Sequence, residues 1–241
     1  RWIWWAVVVS GTSLAIYSHI LAALSIPVLI LWWLLHPRRH PRSWVGMTVA
    51  LALLTLPYLP LLAWQLPMAL EDRGATGFPP LTLLQMVGTL LAGWSTGIPG
   101  IGRTVGIWAG AGLAVLGASS QVWHGRWGVG GRLLAWFFVP LVIIWWLSLR
   151  GPLFTDRYLI WLAPAYYLLI GAGLAAIPQR WISRVLLAGL VLLAMVNIYA
   201  QSFHPYKPQF REAAAQLRLR RLPDELLIFQ IPYNRIMMAY Y

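Results

Sequence analysis

The chain has 241 residues, 60% of them hydrophobic and 10% charged, with a net charge of +12. Soluble domains carry about 25% charged residues, so this composition excludes an ordinary soluble domain and indicates an integral membrane protein. The absence of cysteine excludes disulfides, thiolate catalysis and cysteine metal sites, and the cations, almost all Arg, punctuate apolar runs as membrane anchors do rather than forming a nucleic-acid patch.

A bilayer core of about 30 Å takes roughly 20 apolar residues per helix, with about 17 as the practical minimum. Residues 2–35 are too long for one such span and are interrupted by Tyr17-Ser18-His19. They read as two helices, 2–17 and 20–35, with Pro27 kinking the second. The basic run HPRRHPRS (36–43) precedes a helix over 45–65. A long loop over 66–104 contains EDRGATGFPP and then LTLLQMVGTLLAGW, which is apolar but short and reads as an interfacial or re-entrant segment. Further spans are predicted over 105–122, 133–149, 158–177 and 182–200. The expected fold class is an α-helical integral membrane bundle of about seven spans.

Lys and Arg in short loops set the orientation. With a cytoplasmic start, the inner side receives Arg1, Arg38, Arg39, Arg42, Arg126, Arg132, Arg180 and Arg184, against Arg73, Arg103, Arg150 and Arg157 outside. The loops 66–104 and 150–157 and the tail from Gln201 then lie outside. In that tail, Pro208 suits a first helical turn, an Ala-rich helix runs to about Arg221, and LLIFQI reads as a short buried strand. The domain reading is a polytopic membrane region over 1–200, then the start of an extracytoplasmic α/β domain over 201–241. The chain opens on Arg1 rather than Met and stops at Tyr241 in mid-pattern, so it reads as a fragment of a longer protein.

The outer face is basic: Glu71, Asp72, Arg73, Arg103, Arg150, Asp156, Arg157, Tyr17 with His19, and then His204, Tyr206, Lys207 and Arg211. Beside an oily bundle, such a surface suits a ligand with an anionic head and an apolar tail, and Arg can grip phosphate oxygens bidentately. Two readings of Asp156-Arg157 stand side by side. In one, Asp156 is a helix N-cap and Arg157 an interfacial anchor beside Tyr158; in the other, Arg157 holds a lipid-linked phosphate. Glu71 and Asp72 read as solvated loop charges first and as base or metal ligands second. His36, His40 and His124 read as anchors among Arg. No spacing forms a metal site, phosphate-binding loop or nucleophile elbow.

Several landmarks occur in an order that resembles the polytopic membrane glycosyltransferases of the C-type fold, in particular the family 39-like, mannosyltransferase-related bacterial members. They are Tyr17-Ser18-His19 at the end of an early span, the set Phe154, Arg157, Tyr158, Leu159 and Pro164 opening a late one, and Lys207, Arg211, Ala213, Ala214 and Leu217 on a post-membrane helix. Asp224, Glu225 and the run Leu227 to Ile231 follow as an acidic turn and short strand. The resemblance implies a multi-pass protein of the bacterial inner membrane. Its reaction would move a sugar from a polyprenyl-phosphate carrier to a lipid, glycan or protein hydroxyl at the outer face, with inversion. Arg157, Tyr158, Lys207 and Arg211 would bind the donor phosphate, with Tyr17 and His19 on the same face. The family's catalytic acid lies in a first outer loop that nothing here matches, so the base is expected N-terminal to this sequence and the piece alone is expected to be inactive. No cofactor follows from the residues, and a divalent metal stays open; membrane lipids are the remaining partners and nucleic acid is not one. The competing readings are a glycan polymerase or ligase of another fold, and a lipid-linked sugar transporter.

Overall fold

The structure is a computed structural model, and it describes residues 2–34, 41–60, 63, 80–97, 100–125, 127–151, 154–203, 210–220, 222, 225, 236 and 240. Helix α1 (Trp2–Ser18) ends at His19, whose backbone is extended (φ −156°, ψ 117°), and a 3₁₀ segment, Ile20–Leu24, leads into α2 (Ser25–Leu34). The predicted interruption therefore falls at His19. Pro27 kinks nothing, because it sits in the first turn of α2, where a proline's missing N–H has no intrahelical acceptor to lose. Helix α3 (Pro41–Thr55) and a 3₁₀ turn, Leu56–Tyr58, come next.

The LTLLQMVGTLLAGW stretch forms α4 (Leu83–Thr96). Its start is a capping box: Thr82 accepts the Gln85 N–H while the Gln85 side chain accepts the Thr82 N–H. Rather than lying along an interface, α4 is packed inside the bundle, with Met86 and Leu90 fully buried. Helices α5 (Arg103–Trp123), α6 (Trp127–Ser148), α7 (Ala163–Ala176, entered through the 3₁₀ segment Asp156–Leu162) and α8 (Arg180–Phe203) follow, and then α9 (Phe210–Arg220).

Four helical segments are long and apolar enough to cross a membrane: Arg103–Trp123, Gly128–Ser148, Asp156–Ala176 and Arg180–Phe203. The three other expected spans correspond to shorter apolar helices of 10–17 residues, Trp2–Ser18, Ile20–Leu34 and Trp44–Tyr58, so the count of seven is not met on length. No strand occurs among the described residues, and the strand expected over 227–231 lies outside them.

The core joins α4, α6 and α7 through Met86, Leu90, Phe137, Leu141, Ile144 and Tyr166. Lipid tails are as apolar as leucine, so helices inside a bilayer associate through close packing more than through hydrophobicity. Here α5 and α7 run parallel in very close contact. A Cβ added at Gly117 would meet the Leu169 carbonyl oxygen, and one at Gly173 would meet that of Leu113. At Gly110 the missing side chain leaves room for the Tyr166 hydroxyl, which shares a 2.9 Å hydrogen bond with Ser95 Oγ of α4. The next residue, Tyr167, donates to the Trp94 carbonyl at 2.9 Å. Two adjacent tyrosines thus hold the last turn of α4. Across the bundle, Trp32 Nε1 donates to the Arg132 carbonyl at 2.7 Å and ties the end of α2 to the start of α6.

Candidate functional site: one basic end of the bundle

The end opposite the Trp32–Arg132 contact gathers the last residues of α1, α6 and α8 with the first residues of α5 and of the Asp156–Leu162 segment. Its centre is a ring contact between His19 and Tyr158, with centroids 4.9 Å apart and planes tilted by 51°. The half-buried His19 owes its position to the break after α1. Released from helical geometry, it caps the 3₁₀ segment, and Nδ1 accepts the Leu21 N–H at 3.3 Å. That bond leaves Nε2 as the protonated nitrogen of the neutral ring. Tyr17, two residues before His19 in the aromatic-Ser-His motif, has a different ring partner. It is 82% exposed and lies 6.1 Å, ring to ring, from Tyr58 in the 3₁₀ turn after α3.

Asp156 is not the helix cap. Thr155 occupies the cap position without a side-chain hydrogen bond, and Asp156 is the first residue of the 3₁₀ turn. Its Oδ1 accepts the Arg157 N–H at 2.9 Å, while Oδ2 reaches toward Gly93 near the end of α4, 3.9 Å from where a Cβ would stand. The carboxylate therefore fixes the backbone of the adjacent Arg157 and leaves its guanidinium exposed. Neither Asp156 nor Arg157 makes an ion pair among the described residues. Arg103, at the first position of α5, is exposed at the same end. Arg150 places its guanidinium carbon 6.0 Å from the centre of the Trp146 ring, a cation–π geometry. Arg103, Arg150 and Arg157 are all exposed.

The turn before α5 is held from α8. Asn197, only 3% exposed, accepts the Ile101 N–H at 2.9 Å and donates to the Ile101 carbonyl at 3.0 Å and the Leu193 carbonyl at 2.9 Å. Asn197, Ser95 and Tyr166 are absent from the residues expected to matter from sequence. The Gly106–Gly110–Gly117 spacing was the available signal for a close helix contact, and a lone Asn in an apolar span was the signal for a buried polar anchor.

Deeper in the bundle, α4, α5, α6 and α7 enclose an open apolar groove of about 300 Å³, lined by residues including Val87, Leu91, Ala114, Phe137, Tyr166 and Leu169. Arg211 is exposed on α9. Glu71, Asp72, Arg73, His204, Tyr206 and Lys207 lie outside the described residues, as do His36 and His40. Among the described residues no three His, Asp or Glu side chains converge as metal ligands would. Comparisons with protein families, curated proteins and solved structures find no match to this chain.

Proposed function

We propose that this chain is the donor-binding part of a membrane glycosyltransferase that takes a sugar from a polyprenyl-phosphate carrier. The observation that carries the reading is the His19–Tyr158 contact. It joins the aromatic-Ser-His segment and the Arg-Tyr-Leu segment, far apart in sequence, at one end of a helical bundle, with Arg157 exposed beside them. In this reading all seven apolar helices cross or enter the membrane, that end faces outward, and the tail begins an α/β domain there.

The chemistry asked of these residues is electrostatic. As the acceptor oxygen bonds to the anomeric carbon, the bond from that carbon to the carrier phosphate breaks and the phosphate takes up negative charge. The acceptor's proton passes to a general base that is not among these residues. Preorganised cations at the departing phosphate lower the barrier, and Arg157, with Arg103 and Arg150 near the same end, supplies them. The His19 Nε2–H is a further donor for a sugar or phosphate oxygen. The apolar groove between α4 and α7 offers a berth for part of the carrier's tail.

The test measures binding of a labelled polyprenyl-phosphate sugar by the protein in membranes, comparing the unaltered protein with Arg157→Ala and Arg157→Lys. Collapse of binding in both variants, with insertion intact, is the expected result. Unchanged binding in the variants would reduce Arg157 to a membrane anchor. No binding of any such carrier by the unaltered protein would overturn the donor-site reading.

A further inference from the structure

A second charged surface lies just beyond the last long helix. Helix α8 ends on an exposed aromatic pair, Tyr199 and Phe203, with ring centres 4.6 Å apart. Only 6% of its most apolar stretch is buried in protein. Aromatic residues at the end of such a bare span belong to the membrane–water boundary. Phe210 is seven Cα steps beyond Phe203, so α9 starts within about 25 Å of that boundary whatever path the chain takes. Between Lys207 and Arg221 the sequence holds Lys207, Arg211, Arg218, Arg220 and Arg221, with Glu212 as the lone acid.

Helix α9 has two sides. Ala214 is buried and Ala213 and Leu217 are half-buried, so this side turns inward. Its C-terminal end turns outward: Arg218 and Arg220 are exposed, Leu219 is 86% exposed, and Leu222 just past the helix is 63% exposed. Two leucines three residues apart, interleaved with guanidinium groups and tethered close to a bilayer, match the chemistry of a headgroup layer. Anionic phosphates there attract the cations, and the acyl boundary receives the leucines.

We infer that the Arg218–Leu222 end of α9 docks on an anionic lipid surface. This docking is independent of the glycosyltransferase reading. It clamps the segment after α8 flat against the membrane, beside the basic end of the bundle.

Because the chain has no cysteine, Ala215→Cys, at an exposed position on α9, can carry a single nitroxide on the intact protein. The protein is placed in nanodiscs of phosphatidylcholine alone or with one-third phosphatidylglycerol. Accessibility of the label to a water-soluble nickel relaxer and to oxygen is then read. The expected result is a several-fold fall in the nickel-to-oxygen accessibility ratio with the anionic lipid. That fall should be reversed near 1 M salt, where the Debye length is about 3 Å, and abolished by Arg218→Ser with Arg220→Ser. The paired Lys variants should retain it. Equal accessibility in the two lipids overturns the proposal, whether the label reads as aqueous or as packed against protein. Loss of the response in the Lys variants as complete as in the Ser variants also overturns it, since local folding rather than charge would then be responsible.

Discussion

Helices α7 and α8 are consecutive and about equally apolar, yet the protein uses them in opposite ways. The span ending in α7 has a mean hydropathy of 1.7 and buries 44% of its most apolar stretch in protein; α8, at 2.0, buries 6%. The difference lies in side-chain size and polarity. α7 offers Ala165, Tyr166, Leu169 and Gly173 to the bundle, letting backbone meet backbone and a hydroxyl find Ser95. α8 faces outward with Val191, Leu192, Met195 and Ile198, and is anchored at its far end by the buried Asn197. Apolarity alone reports that a helix leaves water. Small residues and a partnered polar group report what it meets instead.

This contrast can be broken most severely at the seam between α5 and α7. Gly173→Ala drives a methyl into the Leu113 carbonyl, and overpacking against backbone that cannot yield is expected to cost about 1–3 kcal/mol or more. Gly189→Ala in α8, with no atom within 4 Å of the new methyl, is expected to be neutral or slightly stabilising. Denaturation in mixed micelles measures both, and equal losses at the two sites would refute the contrast.

Asn197→Ala tests the anchor of α8. It leaves both polar groups of Ile101 without their side-chain partner, at an expected cost of about 1–3 kcal/mol. The freed turn should also make Arg103, at the start of α5, more mobile, which a spin label at position 104 would report. A smaller effect is expected for Tyr166→Phe, which removes the hydrogen bond to Ser95; such bonds inside membrane bundles are worth about 0.6–1.7 kcal/mol. Ser95→Ala added to Tyr166→Phe should cost little beyond the single change, and additive losses would show that the two hydroxyls act independently. The smallest effect is expected at Leu192, 63% exposed on α8. Leu192→Ala should change stability by less than about 0.5 kcal/mol, and a larger loss would mean that this face is covered by protein rather than lipid.

Much of the bundle is legible in the order of residues alone. The four longest apolar segments lie within a few residues of their predicted places, apart from the start of α6, six residues earlier than expected, and the interruption at His19 is visible because polar residues have to escape an oily run. The site is legible in part. Alternation of the spans puts His19 and Arg157 on one side, but Tyr17 turns away to Tyr58, and Asp156 holds the Arg157 backbone instead of capping a helix. Capping depends on one side-chain torsion and on which carbonyls and N–H groups are already taken, and neither is written in residue order.

The sequence by itself determined that four segments are apolar enough to cross a membrane, where they run, and that cations lie near their ends. These follow from the cost of placing each residue type in hydrocarbon, which is local to the residue and its near neighbours in sequence. Tertiary structure alone decided that α4 is an interior helix, that α7 is enclosed while α8 is bare, and that His19 meets Tyr158. Lipid and protein interior are equally dry, so transfer energy cannot tell them apart; only shape matching between segments distant in sequence can.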